Sequence, residues 1–150
     1  MVQKRKQYKR SLYNSLVNSF ILKGKKKTAK TIIDNTMLNL CRSLNTSIIR
    51  LLFSVYFKLD SFIEIKQVKI KRRTYTIPFA VSYIRRIYLI LKKIKGATKS
   101  DKRKIPTSEK LKSELNNVLS ASSNSKAIKL LKSNQVLVRS SRANTHFRWK

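Results

Sequence analysis

Acidic residues are the scarce ingredient of this chain: its 150 residues hold six Asp and Glu against 36 Lys and Arg. The six are scattered as Asp34, Asp60, Glu64, Asp101, Glu109 and Glu114, and His146 is the single histidine. General acid–base catalysis and metal ligation need such groups in convergent sets, so an enzyme has almost nothing to work with here. No cofactor and no metal are expected. The one cysteine, Cys41, permits neither an intramolecular disulfide nor a thiolate metal site, and reads as a small core residue. Gly and Pro occur only twice each, while Lys, Ile, Ser, Asn and Leu abound. Such usage is compatible with a strongly A+T-biased coding genome. The longest apolar run, 48–57, is ten residues and contains Arg50, so no segment is expected to span a bilayer. The amino terminus also lacks the apolar stretch of a secretory signal.

Positive charge is what the chain has in excess. The formal net charge is +30, and self-repulsion at that density opposes compaction. A polyanionic partner turns the liability into affinity, because each neutralised phosphate releases condensed counterions. The cations run through Lys4 to Arg10, Lys23 to Lys30, Lys66 to Arg73, Arg85 to Lys95 and Lys99 to Lys104. A basic tail on a neutral domain is thereby excluded. The whole body is expected to be wrapped by its partner.

The stretch 63–81, IEIKQVKIKRRTYTIPFAV, organises the rest. Its second half alternates, with Tyr75, Ile77, Phe79 and Val81 on one face and Thr74, Thr76, Pro78 and Ala80 on the other, as a strand with one buried face does. In the first half Ile63 and Ile65 give way to Val68 and Ile70, a switch of parity near Gln67 that predicts a bulge or strong twist. Between the halves lies Lys69-Ile70-Lys71-Arg72-Arg73, without Gly or Asn to take a positive φ, so a longer tip is expected in place of a tight primed turn. Pro78 cannot donate to a ladder and suits a two-stranded ribbon. Such a ribbon is marginal alone and must lean on other elements.

Those elements read as helices, about six in number, giving a mainly α protein with a two-stranded β-ribbon protruding between helices three and four. Residues 1–11 form a basic arm, either a solvated tail or a segment that orders on nucleic acid; residues 12–150 form one domain. Leu12, Leu16, Val17, Phe20 and Ile21 mark the first helix, stopped by Gly24 at C′. Ala29, Ile32, Ile33, Thr36, Met37, Leu40 and Leu44 mark the second, with Thr28 as its N-cap. The third, from about Thr46 to Lys58, is apolar nearly all round and is expected to be the central, most buried helix. Ile84, Ile87, Tyr88, Leu91 and Ile94 mark the fourth, ending at Gly96, with Arg85, Arg86, Lys92, Lys93 and Lys95 on a face expected to meet phosphate. Residues 97–106 read as a basic linker. Leu111, Leu115, Val118 and Leu119 follow in a fifth helix capped by Thr107 or Ser108, and Ala127, Ile128, Leu130 and Leu131 in a sixth that takes in Val136 and Val138. The closing His146-Phe147-Arg148-Trp149-Lys150 either stacks on bases or tucks onto its own domain.

In this order the sequence resembles the universal small-subunit ribosomal protein seven family, in its bacterial and organellar form. Three blocks carry the likeness across about residues 12–149. Leu16-Val17-Asn18 leads through Lys23-Gly24-Lys25-Lys26-Lys27-Thr28-Ala29; Ile63-Glu64-Ile65-Lys66 is followed by Thr74-Tyr75-Thr76-Ile77-Pro78-Phe79-Ala80-Val81 with Arg85-Arg86 close behind; and Ala143 precedes His146-Phe147-Arg148-Trp149. The family usually has a Gly-Gly pair where this chain has Lys71-Arg72-Arg73, and commonly an Arg-Trp pair where it has Lys92-Lys93. The acidic and His positions of the family's last helix are here Gln135, Val136 and Arg139. Drift of this kind implies a mitochondrial ribosome, and a likeness beginning near residue 12 leaves too short an arm for a transit peptide, which implies synthesis inside the organelle.

The resemblance implies a non-enzymatic constituent of the small-subunit head that binds the 3′ major domain of the rRNA beside neighbouring head proteins. It further implies a ribbon that reaches transiently towards exit-site tRNA and mRNA. On this reading Lys4, Arg5, Lys6, Lys9, Arg10, Lys25, Lys26, Lys27, Lys30, Lys66, Lys69, Arg85, Arg86, Arg142 and Arg148 bind rRNA, by phosphate contact and recognition of A-form shape. Lys71, Arg72, Arg73 and Tyr75 form the tip near tRNA and mRNA. The alternative is a DNA-binding or architectural protein that lays a basic ribbon in a groove. A membrane-surface role is disfavoured, because the apolar faces are needed for the core.

Overall fold

The structure is a computed structural model that describes residues 12–149. The arm 1–11, with Lys4, Arg5, Lys6, Lys9 and Arg10, lies outside the described residues. Helix α1 (12–20) buries Leu12, Leu16 and Val17 on one stripe. It is followed by a turn in which Lys23 (φ 50°) and Gly24 (φ 73°) are both left-handed. Gly24 therefore acts inside this turn, several residues past the helix end. Helix α2 (Lys26–Leu44) buries Ala29, Ile33, Thr36, Met37 and Leu40, and its N-cap is Lys25. Thr28 lies within the first turn instead, its hydroxyl donating to the Lys25 carbonyl at 2.8 Å. Asn45 then takes a left-handed φ of 46° and closes α2.

Helix α3 (Ile48–Leu59) is capped by Ser47, whose Oγ accepts from Arg50 N at 3.4 Å. It is not the central helix. Leu51, Leu52, Val55, Tyr56 and Leu59 face the core, while Ile49, Phe53 and Phe57 stay exposed, Phe57 at 87%. The central place belongs to α5 (Thr107–Leu119), which packs on α2, α3, α4 (Tyr83–Lys99) and α6 (Lys126–Ser140). Its Leu111, Leu115 and Val118 are fully buried. Apolar content made α3 look central in the sequence; neighbours on several sides make α5 so.

Two further boundaries move. Helix α4 runs through Gly96 to Lys99, since no positive φ is needed there and Ala97 and Thr98 are buried. The linker is thus shorter than 97–106. Pro106, and neither Thr107 nor Ser108, occupies the N-cap of α5, without a side-chain cap hydrogen bond. Helix α6 starts on Ser125, whose Oγ accepts from Ile128 N at 3.2 Å. Glu114, buried on α5, takes the Ser125 hydroxyl at 2.7 Å and Ala127 N at 2.9 Å. This carboxylate sits where the α6 dipole is positive and ties the two helices together.

Strands β1 (Ile63–Ile70) and β2 (Arg73–Ala80) pair antiparallel from Ile63↔Ala80 to Ile70↔Arg73 without interruption. No bulge occurs at Gln67. The parity switch has another cause: Ile63 and Ile65 share a face with Pro78, while Val68 and Ile70 share the opposite face with Tyr75 and Ile77. Both Ile77 and Pro78 are buried, so the ribbon is covered on two sides near its base. The tip is a two-residue turn, Lys71-Arg72, shorter than expected. Lys71 supplies the positive φ (53°) at the first turn position, an arrangement that costs a non-glycine residue about 1–2 kcal/mol. The ribbon leans on α6 and on a closing 3₁₀ helix (Arg142–Trp149).

Candidate nucleic-acid interface

The few carboxylates decide which cations remain available. Asp60 accepts Arg86 through both oxygens, with Nε–Oδ1 at 2.9 Å. Glu64 does the same for Arg85, at 3.0 and 2.7 Å. These hydrogen bonds hold both carboxyls below their usual range, and together they fasten the end of α3 and the start of β1 to the first turn of α4. Asp101 holds Arg103 within the α4–α5 loop at 2.5 Å. Asp34 accepts the Tyr13 hydroxyl, whose pKa is pushed up to about 12, first by burial and then by that bond. Asp34, Asp60, Glu64 and Glu114 thus brace joints between elements, and Asp101 braces its own loop. Among the described residues no group of three His, Cys, Asp or Glu could hold a metal ion.

Several cations expected at the interface turn out to be structural. Arg86 is ion-paired, and its guanidinium also stacks 4.0 Å from the Phe62 ring. Arg85 pairs with Glu64 and stacks 4.8 Å from Tyr88, although about half of its side chain stays open to solvent. Lys93 is buried and donates to the Leu59 carbonyl at 3.2 Å and to Ser61 Oγ at 3.3 Å. Burial lowers its pKa, and its ammonium caps the C-terminus of α3 where a cation suits the helix dipole. The cationic face expected on α4 is therefore reduced to Lys92 and Lys95, with Arg85 half-open beside them. Arg148 donates to the Pro78 carbonyl at 2.5 Å and lies 5.9 Å over Phe79. Phe147 packs on Tyr75, ring centroids 4.7 Å apart, and Asn144 reaches the Thr76 carbonyl at 3.1 Å. Phe147 and Arg148 of the closing cluster are thus tucked onto the ribbon, and Tyr75 is engaged there.

The remaining expected cations among the described residues are open. Lys25, Lys26, Lys27 and Lys30 are exposed around the α1–α2 turn, joined by Lys23. Lysines in the first turn of a helix oppose its dipole, by about 0.3–1 kcal/mol each. With no acid in that turn of α2 and no side-chain cap on its N-terminus, the exposed lysines flank a helix end suited to phosphate. On the ribbon, Lys66, Lys69, Lys71, Arg72 and Arg73 are exposed. Lys69, Lys71, Arg72 and Arg73 make no ion pair within the described residues. Arg142 is also exposed. The sequence reading missed Lys129 and Lys132, exposed on α6; their spacing of three on a helix was the available signal.

An unpaired cationic surface around a braced helical body leaves the polyanion open. The comparison that decides its kind is with the model of ribosomal protein S7p/S5e, which matches residues 1–139. The chain belongs to the ribosomal protein S7p/S5e family. Its relatives include the small ribosomal subunit protein uS7 of Thermosipho africanus, 28% identical over 142 residues that cover 95% of this chain and 90% of that one. The uS7 of Streptomyces avermitilis is 29% identical over 143 residues, covering 95% and 89%. As an S7p/S5e member the chain is a structural, non-enzymatic protein of the small ribosomal subunit. The DNA-binding alternative finds no support. The relatives that match are bacterial.

Proposed function

We propose that this S7p/S5e member anchors in the 3′ major domain of small-subunit rRNA, in the head and beside other head proteins. The α1–α2 turn, Lys66, Arg142 and the arm are its anchor, and the ribbon tip faces exit-site tRNA and the mRNA exit channel. Arg85 and Arg148 contribute chiefly by fixing the ribbon. The observation that carries this reading is the sorting of cations: acids neutralise those at the ribbon base and leave the α1–α2 turn and tip open. A mitochondrial ribosome is the proposed setting, supported by the Lys-, Ile- and Asn-rich, Gly-poor composition.

Changing Lys71, Arg72 and Arg73 together to Ser tests the division of labour. Nothing apolar is removed, so incorporation into the subunit should survive while exit-site tRNA retention or frame maintenance declines. Purified subunits are assayed for stoichiometry of this protein and for bound tRNA. Failure to assemble would make the tip an rRNA anchor, and normal tRNA retention and framing would leave it without a role there.

A further inference from the structure

Phe62 stands at the foot of the ribbon, between α3 and β1, and is 67% exposed. Its backbone is nevertheless tied down: its carbonyl accepts Val81 N at 3.0 Å, one residue beyond the Ile63↔Ala80 pair. Its ring is held as well. The Arg86 guanidinium lies 4.0 Å from the ring centre and is itself fixed by both oxygens of Asp60. Asp60 thus holds the guanidinium, and the guanidinium holds the ring. The two acids of this corner, Asp60 and Glu64, are neutralised by Arg86 and Arg85. Two further cations lie close by in the chain and face solvent, Lys66 exposed on β1 and Arg85 about half open on α4.

The chemistry of the corner selects its occupant. A phenyl ring offers a phosphate nothing, whereas its flat face takes another flat ring. Every nucleobase has such a face, and stacking on an aromatic side chain tolerates any sequence. In a duplex the neighbouring pairs already cover that face, so the base must be unpaired. The phosphates on its two sides need cations, which Lys66 and Arg85 supply. A ring ordered before binding also loses little freedom when the base arrives.

We propose that Phe62 is a stacking platform for one unpaired base of the bound RNA, with Arg86 clamping the ring from behind and Lys66 and Arg85 taking the adjoining phosphates. The inference rests on the rRNA-binding reading and adds to it a contact made to a base instead of a phosphate. Arg86 is a positioning residue here, acting through the ring it holds.

The test uses the full chain and a transcript of the 3′ major domain of small-subunit rRNA, with affinity read across a salt series. Phe62→Leu keeps an apolar side chain and removes the aromatic face. It should weaken binding about tenfold at every salt concentration. The slope of log K against log salt should stay that of wild type, because a stacked base neutralises no phosphate. Phe62→Tyr restores the ring and should bind as wild type does. Unchanged affinity of Phe62→Leu, an equal loss in Phe62→Tyr, or a changed slope would each overturn the proposal. A wild-type chain that fails to bind the transcript would overturn the rRNA reading as well, whereas tight wild-type binding with an indifferent Phe62→Leu overturns the stack alone. In purified subunits, a photo-crosslinker at position 62 should map to an rRNA nucleotide outside any base pair. A crosslink to a polypeptide or to a paired nucleotide contradicts it.

Discussion

At the base of the ribbon, Arg85 and Arg86 meet Glu64 and Asp60, Arg148 meets the Pro78 carbonyl, and Phe147 covers Tyr75. At its tip, Lys69, Lys71, Arg72 and Arg73 meet no acid, and Lys71 holds a strained backbone. One element thus carries two classes of the same charge. In a chain with six acids, the position of each carboxylate separates cations that build the protein from cations left for a partner. The base is closed by contacts within the chain; the tip cations are left open.

The comparison is broken most severely at the base. Ile77 is fully buried where β2 meets the body. Ile77→Ala should cost about 2–5 kcal/mol, enough to loosen the ribbon while the helices persist. Hydrogen exchange should show ribbon amides losing protection and α5 keeping its own; uniform protection would mean the base is not where the ribbon is held.

Asp60→Asn comes next. It leaves the half-buried Arg86 without its charged acceptor, for a loss of about 1.5–3 kcal/mol by thermal unfolding. The sign with pH follows from the lowered pKa of Asp60, caused first by the Arg86 hydrogen bonds. A carboxyl with a depressed folded pKa contributes fully above its unfolded value of about 4 and loses that contribution as pH falls through the folded one. The gap between wild type and Asp60→Asn should therefore be widest near neutrality and close in acid. A gap independent of pH would show that the ion pair does not secure the base.

Lys71→Gly is the smallest perturbation. Relief of the positive φ against the added chain entropy of glycine should give a net gain of about 0.5–1 kcal/mol. Unchanged or lowered stability would mean that the turn is not strained.

Much of this was legible in advance. The period of two in 74–81 and the position of Pro78 pointed to the ribbon, and helical spacing marked the stripes of α1, α2 and α5. What failed to show were properties set by neighbours in space. Lys93 reads as one more surface cation on α4, because the carbonyl of Leu59 that draws it inward is 34 residues away. The exposed Phe57 looks like core for the same reason. The turn at Lys71 defied residue preference because the uninterrupted ladder leaves only two residues to close it. Among site residues, exposure of Lys25, Lys26, Lys27 and Lys30 was predictable from a short basic link. The structural use of Arg85, Arg86 and Arg148 was not, since it depended on which distant acids and carbonyls folding brought near.

The central claim is that open cations bind and braced cations build. It is tested most directly by the salt dependence of binding to a small-subunit rRNA fragment, measured for wild type, for Lys25, Lys26 and Lys27 changed together to Ser, and for Arg86→Gln. The lysine triple should lower the slope of log K against log salt by about 2–3, at roughly 0.7–0.9 for each phosphate no longer neutralised, and raise the melting temperature slightly, since those lysines oppose the α2 dipole. Arg86→Gln should lower the melting temperature and leave the slope alone. The reverse assignment, with Arg86 setting the slope and the α1–α2 lysines setting stability, would contradict the account.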